Sequence, residues 1–582
     1  MNTLLQFRAG YGAIHTQIKW VGIAGLLCLF QMNCASALGE SWQNIVQPIG
    51  NLQISPPESG MQVNQYLMSL DPNITQATLP FDSGTQVTKI TTTRPQYFVR
   101  TYNPAAGSGP VGSWVMRSSE ARGLSPEQIR NRQALPALPT MFTMVLVPAG
   151  ITIYTGIAGP IAGWGDGGAT QEKLIGPPYV PKENYFNRQD IGNCFLCYRV
   201  LASEGNANRV GAALDRHIPR AYSPLESIYT NLDLLYFGQT ATQFREALNA
   251  LSGEGATGSQ SVSFANTASF MEAIRQQSST WLTDTQAVST SSPDNQTSAF
   301  ANGAWANATG SSSYLKGNNG AASLNANAAG LQAGIGRQLT PDVMIGAALG
   351  VSDARYSVSD LATQASLLSL NLGLYGIAKK DDVYASGALT YSRGDTTMHR
   401  SISINELFNQ QKSSFNTEVY SARLELGYRA KLPALNLTPF IAFQPAWLRQ
   451  NTFDESAYGS GNSLVNMGLN YQSQTVTSLP GSIGLQLDRK TTLDNGWTLN
   501  PTLRVSWIHE FQPDRNITAA LNLLPSQTFT IYGASAPGNT VQAIAGLTAS
   551  DGNNISGYLM LGADMSDRGQ SIQGRIGLNI LF

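Results

Sequence analysis

The end of the chain alternates between apolar and polar residues. From Ser571 to Phe582, Ile572, Ile576, Leu578, Ile580 and Phe582 fall on one face of an extended strand, with Gly574 as a small gap. Ser571, Gln573, Arg575, Gly577 and Asn579 fall on the other, where Leu581 is the one large apolar residue. A period of two marks a strand with one apolar and one polar face. The alternation runs to the final aromatic, although chain ends usually fray. It therefore predicts a strand that closes a sheet against another edge. An edge strand of a sandwich is the alternative.

The same pattern fills the chain from Phe300 onward. It predicts strands near Gly303–Thr309, Leu324–Arg337, Val343–Tyr356, Gln364–Ala378, Asp382–Ser392, Ser413–Tyr428, Leu437–Leu448 and Leu464–Val476. Further runs are Pro480–Leu487, Trp497–Phe511, Thr540–Leu547, Ser556–Asp564 and the terminal stretch. That is about a dozen, within the range of single-chain outer-membrane barrels. In one run Leu368, Leu370, Leu372 and Leu374 oppose Ser369 and Asn371. In another, Arg423 and Glu425 share a face opposite Leu424 and Leu426. Charge inside and Leu outside suits a barrel with a wet lumen; Leu inside would suit a soluble sandwich. Periodicity does not separate the two.

Turn length and aromatics favour the barrel. Short turns (Lys379–Asp381, Asp567–Gly569) alternate with long polar ones (Ser401–Gln411, Asp454–Ser463), as at the two rims of a membrane barrel. Tyr384, Trp447, Trp497, Trp507, Phe511 and Tyr558 lie near strand ends, where an interfacial girdle would place them.

Between about Asn206 and Gln276 the spacing becomes helical. Val210, Ala213, Leu214 and His217 form one stripe. Ser223-Pro224 starts a helix carrying Leu225, Ile228, Leu232 and Leu235. A third begins near Thr240, carries Phe244, Ala247, Leu248 and Leu251, and stops at Gly253. A fourth spans about Phe264 to Gln276, and the Ser/Thr-rich stretch Ser278–Ser298 reads as a linker.

The segment before it, Leu38 to Glu204, is rich in Pro, Gly and Thr and predicts a small β-rich or α+β domain. Its strands fall near Gln96–Tyr102, Val111–Met116, Thr140–Val147, Ile151–Gly156 and Thr170–Ile175, with a short helix from Ser125-Pro126. Gly163-Trp164-Gly165-Asp166-Gly167-Gly168 reads as a surface turn, since a strand rather than a helix follows it.

At the N-terminus, Arg8 and Lys19 precede the apolar run Val21–Met32, and Ala35-Ser36-Ala37 fits a cleavage site. An export signal at 1–37 removes Cys28 and Cys34. Export makes Cys194 and Cys197 a disulfide pair rather than half a zinc site. Charged residues are 13% of the chain and the net charge is −1, so no basic surface points to nucleic acid. None of the four histidines lies between Leu38 and Arg216, and no H-E-x-x-H or G-x-S-x-G is present. No cofactor or metal set is apparent.

Two resemblances follow. NRVGAALD, FREALNALSGE, GAWANATGSSSYL, GLQAGIGRQLTPDVMIGAALGVSDARY, TLRVSWIHEF and GRIGLNILF, in that order, resemble the connector and translocator of classical autotransporters. This implies Sec export and assembly signalled by the last strand (Ile576, Leu578, Ile580, Phe582) to the barrel-assembly machinery. It also implies a monomeric barrel in outer-membrane lipid and a pore-threading helix somewhere between Phe264 and Thr290. Separately, VPAGITIYTGIAGPIAGWGDGGATQEKL, with YFVRTY upstream, resembles tuberculosis-necrotizing-toxin-like NAD glycohydrolases. There Gln171 would match the family glutamine and Arg100 an NAD phosphate contact; the missing histidine departs from that site. The expected division is signal 1–37, passenger 38–204, helical connector and linker 205–298, and barrel 299–582. The passenger is expected to be an adhesin at the cell surface or a released effector. NAD cleavage and a soluble exported β protein are the alternatives.

Overall fold

A computed structural model describes residues 52–220, 223–238, 241–284, 302–551 and 554–582. The export signal and the linker after Asp284 lie outside the described residues. The chain forms two compact units. Among the described residues, one comprises Leu52–Arg117 and Glu127–Asp190; the other comprises Ser118–Pro126 and those from Ile191 onward.

The first unit has two sheets. Strands β1 (Leu52–Ile54), β2 (Glu58–Ser59), β3 (Gln86–Thr92), β5 (Trp114–Val115), β7 (Thr152–Ile157) and β8 (Thr170–Ile175) form one, in the order β1-β3-β7-β8-β5 with β2 beside β3. Strands β4 (Gln96–Tyr102), β6 (Met141–Val147) and β9 (Tyr185–Asp190) form the other. Helix α1 (Gly60–Leu70) starts at a capping box: Ser59 Oγ accepts from Gln62 N–H and Gln62 Oε1 accepts from Ser59 N–H. It buries Val63 and Leu67 against Phe81, Val87 and Tyr154. The strand expected at Val111–Met116 shrinks to two residues, because the backbone before it is engaged by side chains. The Gly109 carbonyl accepts from Arg100 Nε, and the Gly112 carbonyl accepts from the Tyr185 hydroxyl. Helix α2 (Ser118–Ala121), which belongs to the second unit, and helix α3 (Pro126–Gln133) follow β5 in sequence.

The second unit carries helices α4 (Tyr198–Ala202), α5 (Gly205–Asp215), α6 (Pro224–Gly238) and α7 (Ala241–Ser252), then α8 (Gly258–Asp284) and the barrel. Ser223 Oγ accepts from Glu226 N–H at the start of α6, and Gly253 ends α7 at φ 71°.

Twelve antiparallel strands close the barrel. The first six are Asn302–Leu315, Leu324–Thr340, Val343–Val358, Thr363–Lys380, Val383–Ile404 and Leu407–Tyr428. The seventh runs as Asn436–Phe443 and Ala446–Gln450, and the eighth as Gln474–Ser478 and Pro480–Asp488. The last four are Thr498–Glu510, Asn539–Ser550, Ile555–Ser566 and Gly569–Leu581. The last strand pairs with the first from Leu581↔Gly303 to Gly569↔Leu315, which closes the wall.

Leu faces lipid. On the fourth strand Leu368, Leu370, Leu372 and Leu374 are exposed, while Leu367, Ser369 and Asn371 are buried in the lumen. Ile572, Ile576, Leu578, Ile580 and Phe582 are likewise exposed, and Arg575 and Asn579 are buried. This is the reverse of the sandwich alternative, which needed Leu inside.

Four expectations require correction. The predicted long loop Ser401–Gln411 is mostly strand: the fifth and sixth strands are 22 residues each and turn tightly at Asn405-Glu406. The short turn at Asp567-Arg568 lies on the same rim as the long connections, not opposite them. Leu464–Val476 is not one barrel strand. Leu469–Tyr471 joins Phe453–Asp454, Asn516–Leu521 and Phe529–Tyr532 in a separate four-stranded sheet built by loops, and the wall resumes at Gln474. Finally, Tyr384 and Tyr558 do not belong to a girdle. Both are buried in the lumen, while Trp447, Trp497, Trp507 and Phe511 are exposed with Tyr420 and Tyr428. Residue parity explains it: Val383 and Leu559, their neighbours in sequence, take the outward positions.

Candidate functional site

The lumen of the barrel is occupied by α8. Its N-terminal end lies at the loop rim, where the Tyr356 hydroxyl donates to the Gly255 carbonyl at 3.1 Å. Its far end lies near the rim where the first strand begins; there Lys379 Nζ sits 4.9 Å from the Trp281 ring centroid. The helix therefore runs the length of the lumen, and the fourth helix expected at Phe264–Gln276 is extended at both ends.

Two different walls hold it. On the side of the first five strands the contact is apolar. Phe270, Ala273 and Ile274 pack with Trp305, Met344, Ala348, Tyr375, Ile377 and Tyr384. Gly350 and Gly373 leave the space for this stripe: a Cβ on Gly373 would lie 2.7 Å from Ile274 Cδ1, and one on Gly350 3.2 Å from the Phe270 ring. On the opposite side Phe264 packs with Val419, Ala446, Leu448 and Val476, and polar contacts are spread over both sides. Ser263 and Thr417 hydroxyls are 3.0 Å apart, and Gln260 Nε2 donates to Gln450 Oε1 at 2.8 Å. Gln277 Nε2 donates to the Tyr558 hydroxyl at 3.1 Å, and Arg575 Nη2 donates to the Ser269 carbonyl at 3.0 Å. Since buried polar groups must be paired, the helix and wall specify each other's register.

Arg423 and Glu425 both face this lumen. Glu425 accepts from Arg423 Nη2 at 2.7 Å, from Arg504 Nη2 at 2.8 Å and from the Tyr384 hydroxyl at 2.9 Å. Helix α8 adds its own bidentate pair, Arg275 with Glu272, at 2.8 and 2.7 Å. The sequence indicated Arg423 and Glu425 through their shared face. Arg504 lies within TLRVSWIHEF, and counting parity from Leu503 or Val505 turns it inward.

Lumen aromatics lie over glycines of the next strand. A Cβ on Gly577 would be 2.4 Å from Tyr558, one on Gly427 2.4 Å from Tyr384, and one on Gly334 2.5 Å from Trp305. Each glycine is thus a recess for a ring, which gives part of the high glycine content a steric cause.

The connector closes the loop rim. Asn206 exchanges hydrogen bonds with the Tyr532 backbone, and Arg216 donates to Gln527 and the Thr528 carbonyl. Asn231 Oδ1 accepts from Asn405 and from Glu406 N–H. Arg400, paired with Glu455, donates to the Ala250 carbonyl at 2.5 Å. At the centre, Glu254 is 3% exposed and accepts from Ala322 N–H at 2.6 Å and from Asn206 Nδ2 at 2.8 Å. Burial pushes its carboxyl up to about 7, against those two hydrogen bonds, and Asp360 adds to the rise.

In the first unit, Gln171 and Arg100 hold backbone. Gln171 Nε2 donates to the Pro80 carbonyl at 2.5 Å, and Arg100 donates to the carbonyls of Gly109 and Trp114, both at 3.0 Å. They lie on different sheets, β8 and β4. Cys194 and Cys197 form a disulfide just before α4.

A closed barrel with an outward apolar belt and a polypeptide helix in its lumen defines an outer-membrane protein that carries its own plug. Among the described residues no helix is long and apolar enough to cross a membrane, which says nothing of strands. Residues 304–562, which make up most of the barrel, match the family model described as the autotransporter beta-domain. No curated protein matches the chain. Among solved structures, it is similar to the translocator domain of the autotransporter NalP from Neisseria meningitidis. That match has 18% identity and a TM-score of 0.38, covering 53% of this chain and 98% of that one. It is also similar to the beta domain of the Bordetella autotransporter BrkA, at 19% identity and a TM-score of 0.37, covering 48% and 100%. The transport unit of AIDA-I from Escherichia coli matches at 13% identity and a TM-score of 0.32, covering 50% and 94%.

Proposed function

We propose that the barrel displays the N-terminal passenger at the cell surface, and that the passenger is a surface-interaction module. The observation that carries this is the direction of α8. Its N-terminal end lies at the rim bearing the long loops, where the connector helices that precede it also bond, while the first strand starts at the other rim. Export would use the Sec translocon. The last strand, with Ile576, Leu578, Ile580 and Phe582 along one exposed face, would be read by the barrel-assembly machinery, and the barrel would work as a monomer. The interaction reading draws on α1, which leaves the apolar side chains of Met61, Tyr66 and Leu70 exposed at separate positions round the helix. Protease shaving of intact cells tests display: peptides from 38–204 should be removed while 300–582 stays protected. Passenger peptides that become accessible only after lysis would overturn it.

A second reading makes the passenger an NAD-cleaving effector. It rests on the resemblance of the glycine-rich turn and Gln171 to that family, although the turn's own N–H groups are engaged. Gly167 N–H donates to the Asn131 carbonyl, Ala169 N–H to the Arg132 carbonyl, and the turn leads directly into the strand carrying Gln171. NAD consumption by the purified full chain, lost in Gln171→Ala and Arg100→Ala, would favour this reading. Turnover absent from the folded wild type would dismiss it.

A further inference from the structure

The chain passes between its two compact units three times: at Arg117/Ser118, at Pro126/Glu127 and at Asp190/Ile191. The nine residues from Ser118 to Pro126 leave the passenger sequence, lodge in the connector and return. Their hold is Arg122, 3% exposed, whose Nη2 pairs with the Asp233 carboxylate of α6. Ser118 Oγ donates to the same carboxylate oxygen at 2.5 Å, and the Tyr198 hydroxyl donates to the other at 2.6 Å. The guanidinium carbon lies 4.4 Å from the Tyr229 ring centroid and 5.0 Å from that of Tyr198. Alongside, Gly123 N–H donates to the Phe195 carbonyl and Phe195 N–H to the Leu124 carbonyl. Phe195 is fully buried inside the loop that the Cys194–Cys197 disulfide closes. Gly123 has φ +76°, and a Cβ there would meet the Asp215 carbonyl at 3.2 Å.

We infer that Ser118–Pro126 is a clasp that keeps the passenger on its anchor after the covalent link at 191–197 has been cut. A passenger ending at Gly192 would still carry residues 118–126 seated in the connector. The connector is in turn held on the barrel through Asn206, Arg216 and Asn231. Buried ion pairs that lose one partner leave an uncompensated charge, so Arg122 and Asp233 should separate slowly and together. Passenger identity is irrelevant to this retention, and the display reading enters only in placing it on the cell.

The test uses the full chain with a specific protease site inserted between Gly192 and Asn193, both exposed. Cut in detergent, the two fragments should co-elute on size exclusion and part only in denaturant. Elution as separate species overturns the clasp. Arg122→Ala should release the cut passenger roughly tenfold faster or more. Tyr198→Phe, a milder change that removes one hydrogen bond to Asp233, should accelerate release less. Co-elution unchanged in both variants would also overturn it. The same cut on intact cells reports separately on display: a site cleaved only after lysis contradicts surface exposure and leaves the detergent result to decide the clasp.

Discussion

Glu254 is a carboxylate whose chemistry changes on folding. Its carboxyl titrates near 4.5 when free and is pushed up to about 7 by burial at the barrel mouth. The folded mouth therefore binds the proton more tightly than the open one. The stability this supplies is complete below about pH 4.5 and lost as pH rises through about 7. Amide exchange at Ala322, which donates to this carboxyl, should accelerate between pH 6 and 8 beyond its intrinsic rise. Glu254→Gln should remove that excess. At the same scale, Leu370 is 54% exposed on the lipid face. Leu370→Arg should cost about 2–4 kcal/mol and block assembly, scored as loss of the heat-modifiable band. Normal migration of that variant would show that the face does not meet lipid. Leu370 was legible in sequence because its neighbours alternate without a break. Glu254 was not: its partners Asn206 and Ala322 are remote in the chain, and only the fold brings them to it.

Among elements, the strands were the most legible part. The lipid face of each strand follows from parity alone, and twelve strands lie within what the sequence indicated. Proximity to a strand end misplaced Tyr384 and Tyr558, because a lumen ring over a glycine recess has the same composition as a girdle ring. Polar residues misplaced Ser401–Gln411, because a strand standing above the membrane has water on its outer face and loses the apolar half of its pattern. The recesses are testable. A methyl on Gly577 would lie 2.4 Å from the Tyr558 ring and 2.8 Å from the Ala306 carbonyl. Gly577→Ala should destabilise the closure of last strand on first by about 1–3 kcal/mol, seen as a lower unfolding temperature on gels. An unchanged temperature would mean that the ring swings aside freely.

For the molecule as a whole, the sequence indicated a threaded pore but not what holds the thread. Caps and helical spacing revealed α6 and α7, since Ser223 and Gly253 sit where such helices start and stop. The stretch Ser118–Pro126 read as part of the passenger. Nothing local reveals that Arg122 is destined for Asp233, because an arginine beside a turn is ordinarily solvated. The passenger's small sheets are legible as strands and not as a function, since Gln171 and Arg100 bond to backbone carbonyls as structural residues do. Helix α8 has the widest consequence. At 27 residues it is about 40 Å long, more than the roughly 25 Å apolar belt it crosses. Its fit depends on Phe270 and Ile274 meeting Gly350 and Gly373, and on Gln277 meeting Tyr558. A conduit that admits any unfolded sequence has no ruler with which to measure how much has passed. If the passenger passes through this barrel, the moving chain would supply the punctuation: travel would end when a segment cut to the bore, α8, arrives, coils and is gripped.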